Sequence, residues 1–420
     1  MSSKRQAPHD IKICVPSRFE PELLDGLEPL QLQTGRIHEV YGSLSRSIVG
    51  SGRPARRVMQ QGGSPTFDDV RRFTERAHEL GIRVNYLLNA ACLNMTEYTS
   101  SGRQEIVDYV GDVADTGIDM VTIAVPYLIE LVRTEFPELP VSVSVICEVN
   151  TTHGLRLFER YGVQRIQVAE ECNRDLGLLD QLARTASVDL SLVVNNGCLR
   201  FCAYRAYHNT LCTQGSQSEK PEHGYIDYPL LKCSAIRAHD PVEILRSPWI
   251  RPEDLPYYQE RFGIELFKIA GRQLPLESIL RMATAYAHTS YDGNFMDLLA
   301  TPSVDFSSHP MTAALARKRG AEPYRRPPIQ IDNARLGKLT RALHARGGCG
   351  GARDCEECRL CDAMLRQVTV GDDPAARAEH AEALEGLIGE VAGGSWSADE
   401  PTDAADPPTP SHSRHRRAGR

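Results

Sequence analysis

Short apolar runs alternate with amphipathic helical segments from residue 11 to about residue 300, and this alternation leaves few folds open. Strands are expected at "IKICVPS" (11–17), "IHEVYGS" (37–43), "RVNYLLN" (83–89) and "MVTIAV" (120–125). Four more are expected at "VSVSVICEV" (141–149), "RIQVAEE" (165–171), "DLSLVVN" (189–195) and "ELFKIAG" (265–271). Helices fill most of the gaps: "FDDVRRFTERAHEL", "QEIVDYVGDVADT", "PYLIELVRTEF", "THGLRLFERYG" and "RDLGLLDQLARTA", with "PLESILRMATAYAHT" after the eighth strand. Gly81, Gly117 and Gly162 each stand where a helix ends and the next strand begins, the place of a left-handed C-cap. Several strands are nearly continuous in apolar residues, as strands covered on both faces are. The pattern predicts an α/β fold, a (β/α)8 TIM-like barrel with its helices outside. The runner-up is an open doubly wound sheet, which accounts less well for eight strands and for a first turn without a glycine-rich phosphate loop.

Two departures from the repeat carry information. The gap between strands seven and eight, 196–264, is far longer than a βα connection and is read as a structured insertion over the barrel mouth. Beyond the barrel, 11–300, a proline-rich basic link opens a C-terminal extension, 301–370, containing "GGCGGARDCEECRLCDAM". A helical segment is expected at 371–393. The N-terminus, 1–10, is expected to be flexible and the polar, proline-rich tail, 394–420, disordered.

Composition excludes some classes of function. A net charge of -7 and a pI near 6.0 supply no general field for nucleic acid. The N-terminus lacks the apolar core of a signal peptide, and no apolar run is long enough to span a bilayer. Twelve cysteines without an export signal suggest the cytoplasm, where clustered thiols more often hold metal than pair as disulfides.

Function in such barrels gathers at the C-terminal ends of the strands. Cys92 follows strand three, Cys172 strand six, and Cys198 and Cys202 strand seven, while Cys212 and Cys233 lie in the insertion that starts at the same rim. Cys14 and Cys147 fall within strands and read as core. "CLRFC" (198–202) comes close to the C-x3-C-x2-C spacing of radical S-adenosylmethionine enzymes, but the position required for the third cysteine holds Arg205. A thiolate set drawn from separate loops suits an iron–sulfur cluster, with zinc the competing occupant. Asn89, Glu148, Asn150, Glu170, Glu171, Asn173, Asn195, Asn196 and Arg272 flank the same rim and form a candidate surface for a polar substrate, with Arg272 placed to hold an anionic group. For a peptidase, Cys202 with His208 or His153 is the candidate nucleophile and base, although no serine elbow or H-E-x-x-H motif is present.

The ordered series "LLNAACLNMTEYT", "ECNRDLGLLDQL", "NNGCLRFCAYRAYHN", "SPWIRPEDL", "LFKIAGR" and "YDGNFMDLL" resembles the peptidase U32 family over roughly residues 10–365. Founding members of that family are described as collagenase-type proteases. Other members use an iron–sulfur cluster in oxygen-independent hydroxylation of ubiquinone precursors or RNA bases, some drawing on prephenate. The resemblance thus implies a [4Fe-4S] cluster at the barrel mouth and a small-molecule or nucleobase substrate. Its ligands would be Cys92, Cys198, Cys202 and Cys233, with Cys212 and then Cys172 as substitutes. Cys349, Cys355, Cys358 and Cys361, spaced C-x5-C-x2-C-x2-C, form a second candidate site for [4Fe-4S] or zinc. Three functions follow: an iron–sulfur oxidoreductase or hydroxylase, a peptidase, and a non-catalytic cluster-bearing subunit that works with an electron donor or partner.

Overall fold

The computed structural model describes residues 10–45, 47–52, 65–217, 227–300, 328–350 and 355–393. The expectations for a flexible 1–9 and a disordered 394–420 lie outside those residues, as does most of the link after residue 300. Eight parallel strands close into a barrel: β1 (Lys12–Pro16), β2 (Ile37–Gly42), β3 (Arg83–Leu88), β4 (Met120–Ile123), β5 (Val141–Val143), β6 (Arg165–Gln167), β7 (Asp189–Val193) and β8 (Leu266–Lys268). β8 pairs with β1, with Lys268 opposite Cys14, and completes the ring. The fold is a (β/α)8 barrel, as the alternation implied.

The expected helices form around it as α2 (Phe67–Glu79), α3 (Ser100–Ala114), α4 (Pro126–Glu135), α5 (Thr152–Glu159), α6 (Leu176–Thr185) and, after β8, α11 (Leu276–His288). A helix not foreseen, α1 (Pro21–Thr34), joins β1 to β2. Pro29 and Gly26 mask it in the sequence, yet Leu23, Leu24, Leu27 and Leu30 recur at helical spacing and are buried. Burying each such leucine contributes about 1.5–3 kcal/mol, enough to outweigh a poor local propensity. Gly81, Gly117 and Gly162 have φ of 69°, 80° and 71°, the left-handed conformation their positions required.

Strand five is shorter than its apolar run. After Val143 the chain turns through a 3-10 segment (Val145–Cys147), and Glu148 adopts φ 49°. The strands are also less uniformly apolar than they read. Val15, Val40, Val84, Val121, Ile166 and Phe267 are buried in the main core, while the alternate positions carry Cys14, Glu39, Asn85, Thr122, Arg165 and Lys268. Arg165 on β6 reaches Glu39 on β2 at 2.7 Å, and strands four places apart in the ring can meet only across the barrel interior. The inner layer is therefore polar where barrels of this type are usually filled by branched aliphatics.

The 196–264 insertion is structured in its described parts. It contains α7 (Arg205–Gln217), α8 (Tyr228–His239), α9 (Val242–Arg246) and α10 (Leu255–Phe262). The C-terminal extension forms an antiparallel pair, β9 (Ile329–Ile331) and β10 (Thr369–Asp372), with α12 (Asn333–Ala345), the single turn α13 (Cys355–Cys358) and α14 (Leu360–Val368). Buried Arg251, which pairs with Asp254 at 2.9 Å, donates to the Asn333 carbonyl at 2.9 Å and so fixes α12 to the barrel side. The last helix, α15 (Pro374–Ala392), lays Leu384, Leu387 and Ile388 on Leu231 and Ala235 of α8. Among the described residues no helix is long and apolar enough to cross a membrane.

Candidate functional site

α7 lies across the mouth of the barrel and is tied down at both ends. At its start, Arg205 meets Glu171 at 2.6 Å, Glu170 at 3.3 Å and Glu148 at 3.5 Å. These carboxylates come from the turns after β5 and β6. At its end, the Gln217 amide donates to the carbonyls of Val49 and Cys92, and Ser216 Oγ donates to the Ser51 carbonyl. The residue that breaks the radical-enzyme spacing is thus the clasp of the lid. Burial opposes the Arg205 charge, but the surrounding carboxylates outweigh burial and raise its pKa.

The other rim polars have varied roles. Asn196 donates to Glu170, and the Asn173 amide donates to the carbonyls of Val193 and Pro248 at 2.7 and 2.8 Å. Asn195 accepts from the Ala270 amide at 2.6 Å and donates to the Leu298 carbonyl at 3.0 Å. Asn173 and Asn195 are buried: Asn173 ties the end of β7 to the insertion at Pro248, and Asn195 ties it to the segments after β8 and α11. Asn89 accepts from the Gly52 amide at 3.1 Å, and Asn150 is exposed. Arg272 donates to the hydroxyls of Ser43 and Ser51 under the α7 end of the lid.

Of the mouth cysteines, Cys198 and Cys233 are brought together. Arg237, buried to 1% exposure, donates to Cys233 Sγ at 3.2 Å and to the carbonyl of Gly197 at 2.9 Å. Burial first, then Glu170 and Cys233 against Arg205 and Arg237, pushes the Cys198 thiol up to about 12. Cys202 lies three residues before α7. Cys92 stands beside the end of α7: its carbonyl accepts from Gln217, and the neighbouring Ala91 amide donates to Thr213 Oγ1 at 2.7 Å, next to Cys212. Cys172 is wholly buried in the apolar core, and burial pushes its thiol up to about 12. Cys14 and Cys147 are likewise pushed up to about 12 by burial.

Cys212 has partners that its spacing did not announce. It lies one helical turn after His208, whose Nε2 is 3.1 Å from Asp227, the N-cap of α8. Among the described residues, His208, Cys212 and Asp227 are the one trio of potential ligands whose ligand atoms all lie within 4.8 Å of one another. Burial lowers the His208 imidazole, but its hydrogen bonds to Asp227 and Cys212 outweigh that and raise it to about 10. The sequence pairing named His208 as a base but gave it Cys202 as its thiol; finding Cys212 and Asp227 as its partners required knowing which face of α7 meets α8.

The four C-terminal cysteines line one open cleft, together with Arg200, Arg246 and Arg346. The loop "RGGCGG" makes this possible: Gly347, Gly348 and Gly350 all have positive φ, and a Cβ on Gly348 would stand 2.3 Å from the Arg174 carbonyl. That carbonyl accepts from the Cys349 amide at 2.6 Å, which pins the loop to the turn after β6. Arg346 donates to Cys358 Sγ at 3.1 Å, and Arg200, from the middle of "CLRFC", donates to the Gly350 carbonyl at 3.3 Å beside Cys355. Burial, with Cys349, Cys355 and Cys358 acting in the same direction against Arg174, pushes Cys361 up to about 11. Four thiols facing one space with three guanidiniums around it can lose their protons together when a cation enters.

Comparison with known proteins agrees with the motif series. Residues 56–213 match the model of peptidase family U32. An uncharacterized protease of Methanocaldococcus jannaschii is 30% identical over 264 residues, which is 63% of this chain and 76% of that protein. A solved structure of a U32 peptidase aligns with a TM-score of 0.46 and 18% identity, over 66% of this chain and 98% of that one.

Proposed function

The chain belongs to peptidase family U32, and on that premise we propose that it is a cysteine-ligated iron–sulfur enzyme that performs a redox modification, such as an oxygen-independent hydroxylation, of a polar small molecule or nucleobase. The observation that carries this reading is the convergence of Cys349, Cys355, Cys358 and Cys361 on one arginine-flanked cavity. Zinc remains the competing occupant of the same four thiols. At the mouth, Cys198, Cys202 and Cys233 are the proposed ligands, with Cys212 of the same insertion as the proposed fourth in preference to Cys92.

A bound cluster would supply one-electron transfer or a Lewis-acidic iron. The chain's own groups do the rest. Arg237 and Arg346 donate to sulfur and stabilise thiolate, and the Glu148–Glu170–Glu171 clasp on Arg205 holds the lid shut and excludes water. Arg237 also joins the Cys233 sulfur to the carbonyl of Gly197, which accepts from Ser247 Oγ; Leu245, two residues earlier, accepts from Cys361 Sγ at 3.8 Å. The two cysteine sets thus share a short framework of hydrogen bonds and backbone.

The family's name favours a second reading, and one observation supports it: Cys212, His208 and Asp227 have the order of a nucleophile, base and orienting carboxylate. Iron content and peptide cleavage separate the two readings. After anaerobic loading with iron and sulfide, Cys198→Ala and Cys212→Ala are both expected to lose the mouth cluster, and Cys358→Ala the C-terminal one. Casein cleavage that Cys212→Ala abolishes and Cys198→Ala leaves intact would establish the peptidase instead.

A further inference from the structure

The turn after β6 ends in a buried cation with no acid beside it. Arg174 is 4% exposed, and its guanidinium lies 4.3 Å from the centre of the Trp249 ring. Its Nη2 donates to the carbonyls of Leu245 at 3.1 Å and Ser247 at 2.8 Å, while Nε and Nη1 are buried without a hydrogen-bond partner. Among the described residues no carboxylate lies within ion-pair distance of it. Asp254, which lines the same recess beside α12, has both oxygens on Arg251. Asp362 is held by Arg246 at 3.1 Å, and Asp175 caps α6 through the Leu178 amide. What Arg174 does adjoin is the C-terminal cysteine set, at two of its members. Its own carbonyl accepts from the Cys349 amide at 2.6 Å, and the Leu245 carbonyl that holds its Nη2 also accepts from Cys361 Sγ at 3.8 Å.

We propose that Arg174 is a positioning residue of the C-terminal metal centre. Its buried guanidinium is the fixed counter-charge for the thiolates of Cys349, Cys355, Cys358 and Cys361, and it favours the metal-bound and the reduced forms of that centre. A buried guanidinium without an anion is unfavourable, and so is a buried thiolate without a cation. Each offsets the other's cost when a metal enters and the sulfurs give up their protons. Four cysteinates around a divalent ion or a cubane leave net negative charge, and reducing a cubane adds to it. A fixed positive charge shielded from water therefore tightens metal binding and raises the reduction potential. Arg246 cannot serve in the same way, because Glu243 at 2.7 Å and Asp362 already balance its charge. The inference rests on reading these four cysteines as metal ligands, and it holds for zinc as it does for a cubane.

The test titrates cobalt(II) into the full chain, metal-free and without oxygen, and reads the sulfur-to-cobalt absorption. Cys358→Ala reports what the mouth cysteines contribute, and the difference from the parent belongs to the C-terminal set. Arg174→Met should weaken cobalt binding at that set by about tenfold or more. Arg174→Lys, which keeps the charge, should recover most of the loss, and Arg341→Met, at an exposed position of α12, should bind as the parent does. If Arg174→Met fails to fold, Arg174→Gln gives the same comparison. In protein loaded with iron and sulfide, Arg174→Met should also lower the reduction potential of the C-terminal cluster by about 59 mV, the same tenfold for a one-electron couple. Cobalt affinity in Arg174→Met within about twofold of the parent, a loss in Arg174→Lys as large as in Arg174→Met, or an unchanged potential would overturn the proposal. So would a parent that binds cobalt no differently from Cys358→Ala. The expected cobalt results in a chain that takes up no iron would sink the iron–sulfur reading alone and leave the assignment of Arg174 standing.

Discussion

Arg165→Met is expected to destabilise the protein by about 3–5 kcal/mol, because it strands the Glu39 carboxylate inside the barrel. Both side chains are 2% exposed and 2.7 Å apart, and once the guanidinium is gone Glu39 keeps the Asn85 amide, the Cys14 thiol and the more distant charge of Lys268. The loss of a paired charge, more than the loss of packing, makes the effect large. Pairing Arg165→Met with Glu39→Gln should recover most of the deficit, since neither partner then carries an unmatched charge. Urea unfolding of the four proteins measures this directly. A single-variant loss below about 1 kcal/mol, or a double variant no better than Arg165→Met, would mean the pair is not buried as described.

Arg205→Met should release the lid in a pH-dependent way. Glu170 and Glu171, 6% and 13% exposed, would then face each other and the half-exposed Glu148 with no cation between them. Three ionised carboxylates at this spacing repel one another, and the repulsion is relieved as acid neutralises them. A carboxylate shifted upward destabilises the fold above its raised pKa and ceases to do so as pH falls below it. The deficit should therefore be about 2–4 kcal/mol at pH 8 and shrink to under about 1 kcal/mol near pH 4. Thermal unfolding across that range gives the slope. Limited proteolysis should show earlier cleavage around α7 at the higher pH. A deficit independent of pH would indicate that Arg205 acts by packing alone.

The barrel was legible because its signal is periodic and repeated: each strand–helix unit restates the last, and Gly81, Gly117 and Gly162 mark the boundaries. α1 was missed because Pro29 interrupts a leucine pattern that tertiary burial nonetheless stabilises. The polar inner layer was hidden for a different reason. Glu39, Asn85, Thr122 and Arg165 sit on different strands far apart in sequence, and only closure of the ring joins them.

The cysteines show the same division between what a sequence can and cannot disclose. The four C-terminal ones were readable as a set because their spacing is local. The mouth residues were not, because assigning Cys92 or Cys212 depends on the length and tilt of α7. Arg205 was noticed only for the cysteine it replaces, and Lys268 was not singled out at all. Lys268 differs from any surface lysine only by its burial against Gln167 and Tyr41, which composition cannot reveal.

The central claim is that this U32 chain is built around iron–sulfur centres, and iron with acid-labile sulfide in protein purified without oxygen tests it most directly. The account predicts about eight irons and eight sulfides per chain, two cubanes, falling to about four of each in Cys358→Ala, with electron paramagnetic resonance of the reduced protein showing cluster signals. A protein that holds neither iron nor sulfide, or binds only zinc, and that is colourless after anaerobic loading would contradict it.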